Sequence, residues 1–139
     1  MRVVLDTNVL VAAVRSRRGA SNAVLVHAFR DRFDWPVSVP LFLEYEQALT
    51  RAELLLATGI RMADMSKFLS DIARIVEPVE LHFLWRPQLR DPGDEMVLET
   101  AVNGRADVLV THNGRDFAGA DSFGVTVLTP AKFLTRMRR

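Results

Sequence analysis

The chain has 139 residues, 49% of them hydrophobic and 25% charged, with a formal net charge of +1 and no cysteine. That length suits one domain with a real core, and the balance is that of a soluble globular protein. Disulfides and thiolate metal sites are excluded, which leaves oxygen and imidazole as metal ligands, and with no apolar run near ~18 residues and nothing like a signal peptide a cytoplasmic location is expected.

Val3-Val4-Leu5 reads as a short strand buried on both faces, as in the interior of a parallel sheet. The next residues, Asp6-Thr7-Asn8, are polar at once. Ligands of open α/β sheets bind outside the carboxyl ends of strands, so Asp6 is the first candidate for chemistry. Asp6 or Thr7 also suits the plainer role of capping a helix over Val9 to Val14. A loop with Arg15, Arg17, Arg18 and Gly19 follows, and Ser21 or Asn22 is the expected cap of a second helix containing Val24, Leu25, Ala28 and Phe29. The arginines, like Arg136, Arg138 and Arg139 at the other end, suit either solvation or phosphate binding.

Trp35 to Val39 is a brief strand, and Pro40 opens a helix whose apolar face holds Leu41, Tyr45, Ala48 and Leu49. At ~100° per residue Glu44 falls about 60° from Leu41, on that face, whereas Glu46 falls about 140° away and meets water. An inward carboxylate costs on the order of several kcal/mol unless it is paired or metal-bound. Residues 51–59 read as a helix end and turn, with Leu54, Leu55 and Leu56 either buried or exposed for dimerisation. Met62 to Ile75 is an amphipathic helix with Met65, Phe68, Leu69 and Ile72 on one stripe, and Val76 to Phe83 holds a weaker strand interrupted by Pro78. Trp85 suits packing better than base stacking.

Asp91 is a good cap, with Pro92 at the first helical position. Asp94 then stands at the third, ahead of Val97, Leu98 and Ala101 on the buried stripe, while Glu95 and Glu99 are expected in water. A capping-box contact is the alternative for Asp94. Ala106 to Thr111 is a second buried strand, again ending in polar residues: Thr111, His112 and Asn113, then Arg115 and Asp116. His112 is a candidate ligand or base, or simply structural. Gly124 to Leu128 is a final strand, and Pro130 opens the last helix.

Strands alternating with helices imply parallel connections, which gather these polar strand ends at one edge. Three or four carboxylates there repel one another, and a divalent cation relieves the repulsion; oxygen ligands favour Mg²⁺ or Mn²⁺. Carboxylate-held cations suit phosphodiester hydrolysis.

Taken in order, Val-Leu-Asp6-Thr7-Asn8, Glu44 to Leu49, Arg90-Asp91-Pro-Gly-Asp94 before Leu98 and Ala101, Val110 to Phe117, and Val127 to Pro130 resemble a PIN-domain protein, similar to VapC-like toxins of toxin–antitoxin pairs. The resemblance covers essentially residues 1–139 as a single PIN domain. It implies a three-layer α/β/α fold with a central parallel sheet of about four or five strands, and Mg²⁺- or Mn²⁺-dependent endoribonuclease activity. By position Asp6, Glu44 and Asp94 match its acidic residues. The fourth departs from Thr-x-Asp: Asn113 stands where the aspartate is usual and Asp116 lies three residues on, so a site completed by Asn113 and Asp116 carries less charge. On this reading Asp6, Asp94, Asn113 and Asp116 bind metal, Glu44 serves the attacking water, and Asp116 joins the catalytic acids. Thr7, Asn8, Asp91 and Thr111 support them, and Arg15, Arg17, Arg18 and Arg115 hold RNA. The expected partners are an RNA substrate, an antitoxin and a second copy of the chain. A PIN domain that has lost nuclease activity and only binds RNA or protein is the alternative. Phosphoryl transfer on small molecules is a more distant one, lacking a well-placed lysine and a second aspartate two residues after Asp6.

Overall fold

The computed structural model describes residues 1–82 and 91–138. Trp85, Arg90, Arg139 and the Phe83 end of the expected third strand lie outside the described residues. Five short strands are present among those described: β1 (Val3–Leu5), β2 (Pro36–Ser38), β3 (Glu77–Val79), β4 (Val108–Val110) and β5 (Thr126–Leu128). All pair in parallel, as the ladders β1-β4-β5 and β2-β3, and an Arg2–Asp34 bridge joins the two ladders beside β1. The expected sheet of four or five strands is therefore a three-stranded and a two-stranded ladder meeting at one bridge.

Composition sorts the strands by position. The apolar triplets Val3-Val4-Leu5 and Val108-Leu109-Val110 are fully buried and adjacent, as strands covered on both faces must be. Pro78 lies in β3, at the far edge, where a missing N–H costs no ladder bond on the open side. Opposite the polar strand ends, Arg2 ties the strand starts together, donating to both Glu77 carboxylate oxygens (2.6 and 2.9 Å) and to the Gly104 carbonyl (2.7 Å).

The helices are α1 (Thr7–Arg15), α2 (Ala20–Phe29), α3 (Val39–Leu49), α4 (Ala52–Thr58), α5 (Met62–Ile75), α6 (Pro92–Asn103) and α7 (Pro130–Met137). α2 packs between α1 and α7, α1 packs on α3, and α6 lies on β1 and β2, giving the layered α/β/α arrangement. One continuous core runs through these layers, with Trp35, Tyr45, Phe117 and Phe133 its largest buried side chains.

Several expectations are corrected. Helix α1 begins two residues early, at Thr7, because Asp6 itself caps it. Helix α3 begins at Val39, one residue before Pro40, with Ser38 accepting from the Leu41 N–H at 3.3 Å. Helix α2 is capped by Gly19; Ser21 and Asn22 fall in its first turn and bond elsewhere, Asn22 to the Ala13 carbonyl (3.1 Å). Residues 52–58 form a helix of their own, ended by Gly59 at φ +71°, a conformation that favours glycine. Leu54 is buried and Leu55 packs on the core, so of that trio only Leu56 is exposed, at 84%. Glu95 is 9% exposed and Glu99 half-buried rather than solvated, on a helix that β1, β2, α3 and a 3₁₀ turn all contact.

Candidate active site

The chain leaves β1 for β2 on one side and returns to β4 on the other, so the adjoining ends of β1 and β4 form a topological switch point, where ligands bind in open α/β sheets. The Asp6 N–H continues the ladder by donating to the Val110 carbonyl at 2.9 Å. The residue is 7% exposed. Oδ1 accepts from the Thr7 N–H (2.8 Å) and Oδ2 from the Thr111 hydroxyl (2.7 Å). Burial pushes the Asp6 carboxyl above its ordinary range, the two hydrogen bonds pull it back, and the charges of Glu44 and Asp116 push it up again. Asp6 is thus a helix cap and a buried carboxylate facing a cleft at once.

Thr111 is the hub of this arrangement. Fully buried, it donates to Asp6 and accepts from the Asn8 amide (3.3 Å) and the Asn113 N–H (3.1 Å). Asn8 Oδ1 in turn accepts from the His112 N–H (3.3 Å), so the two strand ends are laced together.

Helix α3 grips the same strand end with two consecutive residues. Glu44 Oε2 accepts from the Thr7 hydroxyl at 2.7 Å, and the Tyr45 hydroxyl donates to the Leu5 carbonyl. The residues held, 5 and 7, flank Asp6. Burial raises the Tyr45 hydroxyl well above its ordinary range and keeps it a neutral donor; Trp35 Nε1 donates to it at 3.4 Å. Glu44 faces the cleft, as expected, and Glu46 faces water.

The third acid comes from the start of α6. Asp91 caps it, accepting from the Gly93 N–H at 2.7 Å, with Pro92 at the first position and Asp94 at the third. A methyl group at Gly93 would lie 3.0 Å from Asp91 Oδ1, crowding the capping carboxylate, and at an ordinary contact distance of 3.4 Å from Glu44 Oε1. Asp94 is pushed up to about 6, first by burial and then by the charges of Asp91, Asp6, Asp116 and Glu44.

Asp6, Glu44, Asp94 and Asn113 line one cleft of about 390 Å³, with Arg15, Arg51 and the floor residues Val11, Ala12 and Ala48. The donors are hard oxygens and among the described residues no cationic side chain pairs with them, which fits a small divalent cation. Among the described residues no three acidic or imidazole groups close into a cage. Mg²⁺ does not require one, since it keeps several waters and takes one or two carboxylates.

Several other expected site residues are outside the lining of this cleft. Asp116 is exposed in the 3₁₀ turn Gly114–Phe117 and reaches Asp6 and Asp94 through its charge, while Asn113 holds the place in the cleft wall. Arg115 and Arg18 are exposed, and Arg17 lines a separate pocket with Asn22 and Asp64. His112 Nε2 pairs with the Ser21 hydroxyl at 2.8 Å. Sequence reasoning missed Arg51 and Gly93. Gly93 was within reach, because a small residue directly after a capping aspartate and a first-turn proline leaves room for the capping carboxylate.

A family model described as PIN domain matches residues 2–115, a span that includes Asp6, Glu44, Asp94 and Asn113 and stops one residue before Asp116. A search of curated proteins finds no significant match. PIN domains are generally nucleases and typically depend on a divalent metal. Matched over every strand end and helix start that builds the acidic cleft, this chain belongs to the PIN-domain family.

Proposed function

We propose that this PIN domain is a metal-dependent endoribonuclease acting on single-stranded RNA, and the toxin of a toxin–antitoxin pair. The observation that carries the nuclease reading is the common cleft of Asp6, Glu44 and Asp94, with Asp6 fixed by two hydrogen bonds at the switch point. Asp6 and Asp94, helped by the Asn113 amide oxygen, would hold Mg²⁺ or Mn²⁺. When bound, that ion supplies charge to a phosphodiester and lowers the pKa of water. Glu44 has Oε2 engaged by Thr7, which leaves Oε1 to accept the proton of the attacking water. Thr111 and Asn8 keep Asp6 in one orientation. Water adds to phosphorus, the P–O bond to the leaving nucleotide breaks, and solvent protonates the departing oxygen.

The toxin role, the antitoxin partner, a homodimeric state and a cytoplasmic setting rest on the likeness of the ordered motifs to VapC-like toxins. No helix among the described residues is long and apolar enough to cross a membrane. Growth arrest on expression, relieved by the product of a neighbouring reading frame, tests the toxin role; growth unaffected by expression contradicts it.

One observation favours a second reading, that of a weakened PIN domain serving as a binding module. Asn113 brings no charge to the cleft, and Asp116 stands outside its lining. Cleavage of a single-stranded RNA with Mn²⁺ decides between the two. Under the nuclease reading Asp6→Asn loses at least about 100-fold in rate while the fold is retained, because a charged cation ligand is lost. Equal cleavage by the variant removes Asp6 from the chemistry, and RNA binding without any cleavage by the parent selects the binding module.

A further inference from the structure

We propose that Arg15 and Arg51 form a phosphate clamp at the far end of the acidic cleft, holding RNA backbone phosphates next to the one that is cut. The proposal rests on the endoribonuclease reading. A cleft bearing three carboxylates repels a polyanion, so substrate must find positive charge nearby. Arg15 and Arg51 line that same cleft. Both are exposed, and among the described residues neither forms an ion pair; the salt bridges present are Arg2–Glu77, Arg61–Asp64 and Glu80–His82. Neither guanidinium is used to neutralise the acids, so both are left for an anionic ligand.

Their placement gives the cleft a direction. Arg15 ends the nine-residue helix that Asp6 caps, about 13 Å of helical rise from it. Arg51 follows the end of α3, seven positions after Glu44 or about 10 Å along the same path. Because α1 packs on α3, the two helices carry acid toward one end of a shared groove and base toward the other, with Ala12 and Ala48 between. The arginines are thus separated along the backbone from Asp6 and Glu44 by roughly two helical turns. The Arg51 side chain is also spared from capping α4, since its backbone carbonyl does that by accepting from the N–H groups of Leu54 and Leu55 (both 3.1 Å).

The test is the salt dependence of binding of a short single-stranded oligoribonucleotide to the full chain, without divalent cations. Arg15→Ala and Arg51→Ala each lower the slope of log affinity against log salt by about 0.7, and the double variant by about 1.4, the contribution of one and two phosphate contacts on a single strand. Affinity falls equally for unrelated sequences, since phosphate contacts position without reading bases. Arg51→Lys keeps the slope, and so does Arg74→Ala, the same loss of charge at an exposed position on α5. Parental slopes in both cleft variants, or no binding by the parent, overturn the clamp. Altered slopes in a protein that cuts no RNA with Mn²⁺ leave the clamp and remove the nuclease reading; cleavage with unaltered slopes does the reverse.

Discussion

Asp6 and Asp94 face one cleft from different elements, and their surroundings contrast. Asp6 accepts two hydrogen bonds, from Thr7 and Thr111, and its neighbours on the chain are gripped by Glu44 and Tyr45. Those bonds partly offset the burial that raises its pKa. Asp94 accepts no hydrogen bond among the described residues, and burial together with four acidic neighbours lifts it to about 6. One carboxylate is held in place by the protein; the other is left with unrelieved charge. The contrast teaches how a fold prepares a cation site: strand-end hydrogen bonds fix one ligand, and repulsion at a helix start makes a positive ion the missing partner.

The largest effect is expected where the fixed side is dismantled. Thr111→Val removes the hub that serves Asp6, Asn8 and Asn113, and lowers cation affinity by roughly 10- to 100-fold. It also costs about 1–3 kcal/mol in stability, because buried polar groups lose a partner. Calorimetric titration with Mn²⁺ and chemical denaturation read the two effects separately. Tyr45→Phe comes next. It leaves the Leu5 carbonyl without its side-chain donor at a cost again of about 1–3 kcal/mol, with a smaller loss of cleavage, since the contacts of Asp6 itself remain. Equal activity losses in the two variants would show that the strand end, rather than the carboxylate, is what the hydrogen bonds protect.

The smallest effect belongs to the unrelieved side. A carboxyl raised from 3.8 to about 6 holds more protons in the folded chain than in the unfolded one between those values. Its contribution therefore destabilises the metal-free protein fully above about pH 6, and the penalty fades as pH falls toward 4. Asp94→Asn should melt above the parent at pH 7 and level with it near pH 4. A parent that melts higher than the variant at pH 7 would mean that Asp94 is paired.

Much of this was legible in the sequence where local rules decide. Buried apolar triplets gave β1 and β4, Pro92 and Pro130 marked helix starts, and the spacing of Met65, Leu69 and Ile72 predicted α5 with both of its bounds. Glu44 and Asp94 could be aimed inward from helical geometry alone. What was not legible depended on distant contacts. Ser21 forgoes capping for His112, 91 residues away. Glu95 is buried on a helix that several distant elements contact together. Arg51 enters the cleft through the break between α3 and α4, which no periodicity in that stretch announces. The 3₁₀ turn Gly114–Phe117, which leaves Asn113 in the cleft lining and Asp116 exposed beside it, was likewise not announced by any periodicity.

The central claim is that Asp6 and Asp94 serve one cation together. Thermal stabilisation by Mn²⁺ at neutral pH, measured for the parent, Asp6→Asn, Asp94→Asn and the double variant, tests it most directly, since a ligand that binds only the folded state raises the melting temperature. A shared site predicts that either single change removes most of the shift and that the double change removes no more, because the two effects are not additive. A single variant that keeps the parental shift would contradict the account.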